Sequence, residues 1–565
     1  MRLGLLGITL VLMFGGLAAR LFQVQVVQAA DFAAMGLDQR LVTRQVAPER
    51  GKVFDRNGDP LALTVEAESI YAVPPEIEDP VFAAQQIAVM AGRDPVELLE
   101  QFRSDSRFVY IRRQVDHALV QQVMDLGLAG IYTHPEATRV YPAGSVAGQV
   151  VGVVDIDGKG VEGLEFAYDE ALTGTPGELV FERDLRGRPI PQGRREIRPA
   201  VPGLDLVTTI DLPLQYVAEQ TCRTTLERTG AAQCWIVVLE PETGEILALA
   251  GAPSYDPTAR RSEDGSGFSN FAVRGLYEPG STMKLITFAA ALDSGTARVG
   301  DVVPQVSWEH EVRPKACVRD DDEIYGCYRD FLRHPTRDMT VAEVFRESSN
   351  VGTIKIAQQF APGLFEDYAR AFGFGTRTGV DFSGETSGIV DLDPRIVTDL
   401  ASASIGYRVA VTPLQVAAAY AAIANDGEWV QPHLVAAQID GEGETTPFEP
   451  ERRRVVDQGV AWTLRQLLAE VVLEGTGTGA DVPGYRVGGK TGTASKVGPD
   501  GTYTSINIAS FVGMAPVDDP AVVVAVVVDG PSFEYRTGGR AAAPAFAEVM
   551  EAALHRLGVT PDAPE

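Results

Sequence analysis

Three short motifs carry the chemistry of this sequence: Ser281-Thr282-Met283-Lys284, Ser348-Ser349-Asn350 and Lys490-Thr491-Gly492-Thr493. In order they read S-x-x-K, S-x-N and K-T-G. Lysine is scarce in the chain; only Lys284 follows a serine at that spacing, and only Lys490 opens a K-[ST]-G. A serine hydroxyl is a poor nucleophile until a base takes its proton. Residues three apart share a helix face, so Ser281 and Lys284 meet if Glu278-Pro279-Gly280 turns into a helix over residues 281–290. The start of that helix favours negative charge developing on the serine. A lysine base must be neutral part of the time, and burial and a second cation, here Lys490, both push Lys284 that way.

The other two motifs complete a reaction. The Ser348 hydroxyl both accepts and donates, so it can relay a proton to a leaving amine. Asn350 can accept from Lys284 and donate to a substrate amide carbonyl. Lys490, Thr491 and Thr493 offer a cation and two hydroxyls to a substrate carboxylate. Gly492 lets another backbone come close, and the N–H groups of Ser281 and Thr493 can form an oxyanion hole. Each motif alone has a plain reading, as a helix-start serine, a solvated lysine, a helix cap or a polar strand end. The ordered set points to covalent serine acyl transfer.

A helix at about 214–228 precedes two strands, 234–239 and 246–250, joined by Pro241-Glu242-Thr243-Gly244, a hairpin signal. Helices dominate from 281 to 424. Strands return at 509–514 and 521–528, and a last helix covers 544–557. An antiparallel sheet drawn from both ends of a domain, flanked by helices and interrupted by a helical subdomain, is an α+β design. The K-T-G run is expected on an inner-edge strand, and the polar stretch 438–451 as a loop. Before this domain, residues 23–48 read as a stalk helix and then a strand. Residues 50–202 mix short strands with helical pieces such as 95–102, and the proline and glycine cluster at 198–203 marks a boundary. The expected division is 1–22 cytoplasmic stub and membrane anchor, 23–203 pedestal, 204–558 catalytic domain, and 559–565 tail.

At 565 residues the chain has room for two or three domains. Its formal charge of −28, without a basic stripe, argues against nucleic-acid binding. Residues 3–19 are apolar and uncharged, short for a membrane span; Leu21-Phe22 extend them past Arg20, which can snorkel. Arg2 favours an N-in orientation. A signal peptide cleaved near Ala29-Ala30 is the rival, and that site lies far beyond the apolar run. Cys317 with Cys327 and Cys222 with Cys234 are the near neighbours expected to form disulfides in an oxidising compartment, though four cysteines allow three pairings. No spacing resembles a zinc site, so no metal and no other cofactor is expected.

With these motifs the sequence resembles the class B penicillin-binding proteins, and among them the division-specific peptidoglycan D,D-transpeptidases (FtsI type). Arg50-Gly51-Lys52-Val53-Phe54-Asp55-Arg56-Asn57-Gly58, Arg139-Val140-Tyr141-Pro142 and Gly160-Val161-Glu162-Gly163-Leu164-Glu165 resemble the pedestal motifs of that class. Thr209-Ile210-Asp211, Val411-Thr412-Pro413-Leu414-Gln415, Phe511-Val512-Gly513-Met514-Ala515-Pro516 and Gly538-Gly539 resemble its transpeptidase domain. Arg408, after Gly406-Tyr407, departs from the small residue the resemblance implies.

The resemblance implies a serine β-lactamase-like fold and a stated reaction. Ser281 attacks the carbonyl between the terminal D-alanines of a stem peptide, and an amine of a second stem resolves the acyl-enzyme, giving a cross-link. Lys284 is then the base, Ser348 the relay, Asn350 the orienting residue, and Lys490-Thr491-Gly492-Thr493 the carboxylate and oxyanion edge. β-Lactam antibiotics would acylate the same serine, and a carboxypeptidase side activity is compatible. The implied setting is the inner membrane at the division site, with the catalytic domain in the periplasm. A SEDS-type (FtsW-like) glycan polymerase and other division proteins are the implied partners. The rivals are an elongation-type transpeptidase, an idle division scaffold and a β-lactam hydrolase; for the last, no deacylating glutamate can be assigned.

Overall fold

In the computed structural model, the described residues are 2–184, 188, 190–258, 270–313, 316–317, 326–393, 395–498 and 500–563. They fall into two compact units, 1–51 with 170–204, and 52–169 with 205–565. The first holds an apolar helix, Arg2–Phe22, continued by a π-helical turn Gln23–Val27. Among the described residues this is the one stretch (Leu3–Val27, mean hydropathy 2.0) long and apolar enough to cross a membrane, and none of it is buried within the protein. A second helix, Ala29–Asp38, then covers the alanines of the rival cleavage site. The strands Leu41–Val46, Gly177–Glu182 and Arg195–Arg198 complete this unit as a small antiparallel sheet.

The second unit begins with a sheet-and-helix layer. Strands Pro60–Ala72, Val109–Val115 and Ile131–Val140 pack one face on helices Pro80–Ala91, Pro95–Phe102 and His117–Met124. Ile70, Ile87, Leu98, Phe102, Ile111 and Ile131 form the core between them. The sequence sets these helix starts locally. Asp79 and Asp94 each cap a following proline, accepting two backbone N–H groups, and proline is suited to the first helical position.

Below this layer a buried ion pair ties two of the pedestal motifs. Arg139 Nε donates to Glu165 Oε1 at 2.7 Å and its Nη1 to Thr64 at 3.0 Å, with the pair almost wholly out of water. Breaking one side of such a pair strands a charge. We expect Glu165→Gln to cost about 3–5 kcal/mol of stability in urea unfolding; a loss under about 1 kcal/mol, the range of an exposed pair, would show that the site is solvated.

The expected boundary near Gly203 is bridged by hydrogen bonds. Val53–Phe54 pairs in parallel with Asp205–Thr208, which in turn pairs with Val435–Ile439. One sheet therefore runs from the pedestal strands into the catalytic domain. This also corrects the expected loop at 438–451. Val435–Ile439 and Thr445–Pro447 form a hairpin, closed by Asp440, whose carboxylate accepts from the N–H groups of Glu442 and Glu444. At a sheet edge both faces of a strand can meet water, so the apolar alternation that would announce it is absent.

The catalytic domain is built on a five-stranded antiparallel sheet. Its elements are α1 (Leu212–Thr229), β1 (Gln233–Leu239), β2 (Ile246–Ala252), α2 (Lys284–Asp293), β3 (Cys327–Arg329), α3 (Val341–Arg346), α4 (Asn350–Ala357), α5 (Pro413–Ala424), β4 (Gly488–Val497), β5 (Tyr503–Ala515), β6 (Val522–Asp529) and α6 (Ala543–Arg556). The order across the sheet is β2-β1-β6-β5-β4, which leaves β4 at an edge. β1, β2 and β6 read as near-continuous apolar runs because α5 packs on one face and α1 and α6 on the other. Cys222 on α1 is bonded to Cys234 on β1, and Cys317 to Cys327 at the start of β3.

Candidate active site

The expected helix over 281–290 is in fact two pieces. Gly280–Met283 is a 3₁₀ turn and α2 begins at Lys284. Side chains at i and i+3 eclipse in a 3₁₀ turn, so this winding turns position 284 to the same side of the chain as position 281. Gly280 opens this turn at φ +53, a conformation that costs glycine little. The turn is underpinned by Thr282, whose hydroxyl donates to the Pro279 carbonyl at 2.9 Å, and by Tyr420 of α5, which donates to the Thr282 carbonyl at 3.0 Å.

The S-x-N motif lies where α3 ends and α4 begins. Thr340 and Glu343 form a capping box that starts α3, and Ser349 caps α4 by accepting from the Gly352 N–H. The connection forces Ser348 to φ +59, an uncommon backbone conformation for a residue with a side chain. It is held there by two groups that sequence reasoning missed. Asp330 accepts from Ser349 Oγ at 2.8 Å and from the Val351 N–H at 3.0 Å. The Arg329 carbonyl, at the end of β3, accepts from Asn350 Nδ2 at 2.9 Å. That last bond settles which way the Asn350 amide points and turns its Oδ1 to Lys284. Asp330 also accepts from His334 Nε2 at 2.9 Å and thereby raises the histidine's pKa. No sequence pattern announces either residue, since both act across a chain reversal.

Lys284, Ser348, Asn350 and Lys490 meet in one network. Lys284 Nζ donates to the Ser348 carbonyl at 2.6 Å and to Asn350 Oδ1 at 2.7 Å, and lies 3.3 Å from Ser348 Oγ. From the other side Lys490 Nζ donates to Ser348 Oγ at 2.8 Å. Both lysines are fully buried. Burial and, second, the charge of Lys284 hold the Lys490 pKa well below the usual lysine range. The charge effect between the two lysines is mutual, and for Lys490 it adds to complete burial. Two of the Lys284 partners are pure acceptors. A neutral Lys284 can satisfy both with its two N–H bonds, which leaves its lone pair for a hydroxyl.

Thr491, Gly492 and Thr493 lie on β4, as an edge strand. A Cβ on Gly492 would sit 2.7 Å from the Pro279 carbonyl, and one on Gly280 would sit 2.7 Å from the Thr493 carbonyl. Glycine at both places lets the turn bearing Ser281 press against the strand backbone at Thr493. Thr493 Oγ1 accepts from the Gly538 N–H at 3.2 Å, which leaves its proton to donate, and Thr491 shares a hydrogen bond with Thr476 at 2.8 Å.

A family model described as "Penicillin binding protein transpeptidase domain" matches residues 234–551, and one described as "Penicillin-binding Protein dimerisation domain" matches 45–208. The chain belongs to the class B penicillin-binding proteins of the division-transpeptidase family. It is 34% identical over 572 residues to the probable peptidoglycan D,D-transpeptidase PenA of Neisseria meningitidis, covering 100% of this chain and 94% of the relative. It is 31% identical over 574 residues to the peptidoglycan D,D-transpeptidase FtsI of Escherichia coli, covering 100% and 93%. Among solved structures, penicillin binding protein 3 of Mycobacterium tuberculosis complexed with aztreonam has a TM-score of 0.71 at 29% identity, covering 92% of this chain and 99% of that one. This penicillin-binding protein thus presents the three family motifs in one hydrogen-bonded cluster beside an edge strand.

Two residues to which the sequence reading gave no role in the site lie beside the Ser281 turn. Glu278 accepts from the Arg408 N–H at 2.7 Å and from the Tyr503 hydroxyl at 3.1 Å. Burial raises its pKa against the pull of those two donors and of the Arg408 charge. The unexpected Arg408 adopts φ +61 and forms an ion pair with buried Asp399 at 2.8 Å.

Proposed function

We propose that Ser281 is the nucleophile with which this serine-type D,D-transpeptidase cross-links peptidoglycan stem peptides in the division septum. The observation that carries this reading is the convergence of Lys284 and Lys490 on Ser348, two residues before Asn350 and beside the nucleophile turn. Lys284 takes the Ser281 proton as Oγ bonds to the carbonyl between the two terminal D-alanines. The oxyanion forms against the N–H groups of Ser281 and Thr493. Ser348 passes a proton from the lysine pair to the departing D-alanine nitrogen, and the carbon–nitrogen bond breaks. The amine of a second stem then attacks the acyl-enzyme, Lys284 takes the proton that the amine loses and passes it to Ser281 Oγ as the ester bond breaks, which restores the serine hydroxyl and the neutral lysine. Throughout, Asn350 orients the donor peptide, and Lys490, Thr491 and Thr493 hold its terminal carboxylate. A β-lactam enters by the same first step.

We assign residues 1–22 to the anchor, 23–203 to the pedestal, 204–558 to the transpeptidase domain and 559–565 to a tail. The spans of the two family matches support this division. A single apolar helix and the family place the protein in the inner membrane at the division site. The thin basic stub supports an N-in orientation, with catalysis on the periplasmic side, where both disulfides suit an oxidising compartment. The pedestal is the proposed contact for a SEDS-type glycan polymerase of the FtsW kind; failure of the two to co-purify from membranes would count against it.

The test of the nucleophile is covalent labelling of the full chain in detergent with a fluorescent penicillin. Wild type is expected to hold the label stably and Ser281→Ala to take none. Rapid release of the label by wild type would turn the reading to a hydrolase, and labelling of Ser281→Ala would remove Ser281 from its role.

A further inference from the structure

The nucleophile turn is splinted by the chain segment 406–411. Tyr277 and Val411 exchange both backbone hydrogen bonds, each at 3.0 Å. The Gly280 N–H donates to the Gly406 carbonyl at 3.1 Å, and the chains run so close there that a Cβ on Gly406 would collide with the Gly280 carbonyl. Between these two ends the link is made by a side chain. Glu278 Oε1 accepts the Arg408 N–H, and Arg408 stands at a positive φ that brings this N–H round to it. The same oxygen accepts the hydroxyl of Tyr503, which opens β5 opposite Val497 at the far end of β4. The Tyr503 ring also meets the edge of Tyr407, with centroids 6.0 Å apart.

One carboxylate oxygen therefore joins three segments: the turn bearing Ser281, the 406–408 turn, and the hairpin of the K-T-G strand. The other oxygen, Oε2, is buried and finds no hydrogen-bond partner among the described residues. Leaving a buried polar atom unpaired costs stability, so what the side chain contributes here lies in the two bonds that its first oxygen accepts. Charge-assisted bonds are shorter and stronger than neutral ones, and the Arg408 N–H bond is the shorter of the two.

We infer that Glu278 is a positioning residue for acylation, fixing the height of Ser281 through Arg408 and the reach of the K-T-G hairpin through Tyr503. The inference rests on the reading of Ser281 as nucleophile and of β4 as the substrate edge. The two bonds act on different steps. The Arg408 bond bears on the rate of bond formation, because a misplacement near 1 Å at a reacting atom is felt strongly. The Tyr503 bond bears on the strand that holds the substrate carboxylate, hence on the affinity of the non-covalent complex.

The experiment is time-resolved labelling of the full chain in detergent over a series of fluorescent penicillin concentrations. This separates the dissociation constant of the non-covalent complex from the acylation rate constant. Glu278→Ala is expected to lower the rate constant about tenfold or more. Glu278→Gln, whose amide oxygen still accepts both donors, is expected to recover most of it. Tyr503→Phe is expected to weaken the complex by about fivefold, the worth of one hydrogen bond, with the rate constant unchanged. Added to Glu278→Ala, it should have no further effect. A Glu278→Ala rate constant within about twofold of wild type overturns the inference, being far short of the misplacement effect. So does a Glu278→Gln variant as slow as Glu278→Ala, since charge and not position would then be the cause. If Glu278→Ala does not fold, the Gln variant and Tyr503→Phe decide it, and an unchanged dissociation constant in Tyr503→Phe removes the hairpin link. Labelling of a Ser281→Ala control would instead sink the nucleophile reading on which the inference stands.

Discussion

Lys284→Met is expected to acylate about a thousandfold more slowly than wild type, within the range lost when a positioned general base is removed. Methionine fills nearly the same buried volume, so the effect is chemical before it is structural. The variant leaves the Ser348 carbonyl and Asn350 Oδ1 without their donor, and each unpaired acceptor costs about 1–3 kcal/mol. Removing a buried charge offsets part of this, so the protein should remain folded with a lowered melting temperature. Lys284→Arg is expected to be as slow, because a guanidinium does not give up its proton. Labelling kinetics with a fluorescent penicillin, alongside melting curves, decide the matter. A Lys284→Met variant within about tenfold of wild type, below the usual worth of a general base, would transfer the role to Lys490 acting through Ser348.

The sequence exposed what depends on short-range spacing. Ser281 and Lys284 stand three apart, the S-x-N motif falls at a helix cap, and the apolar runs at 234–239 and 521–528 become central strands. Helix 95–102 was legible to the residue because Asp94-Pro95 is a cap followed by a first-turn proline. What stayed hidden depends on chain reversals. Asp330 reaches Ser349 only because β3 and α4 are brought together, and Glu278 meets Tyr503 across most of the domain's sequence. The 3₁₀ start at Gly280–Met283 was missed because the helical period of the apolar residues does not report the winding of the first turn. The edge hairpin at 435–447 was missed because exposed edge strands lack alternation. The lowered proton affinity of Lys490 could not be read either, since burial and the distance to Lys284 set it and neither is a property of composition.

That proton affinity has a consequence in pH. Lys490 must carry its proton to attract the substrate carboxylate, yet burial and Lys284 lower its pKa well below that of a free lysine. The second-order acylation constant for an anionic penicillin is therefore expected to fall on the alkaline side at a pH well under the ordinary lysine value of about 10.4. The rate constant at saturating penicillin reports the complex, where the ligand carboxylate favours the ammonium, so its alkaline limb should lie at higher pH. Stability moves the other way. A lysine whose folded pKa is depressed binds fewer protons folded than unfolded, between that depressed value and about 10.4, so its contribution to stability rises with pH across this window. Loss of acylation there is then not unfolding, and melting curves over the same pH range distinguish the two. Lys490→Arg should abolish the alkaline limb, because the guanidinium keeps its charge. It should also lower the rate near neutrality, since a planar fork does not reproduce the point donation to Ser348 Oγ. A wild-type constant that stays flat to about pH 10, close to the ordinary lysine value, would mean that Lys490 keeps its proton despite burial. An alkaline limb unchanged in Lys490→Arg would assign that limb to another group.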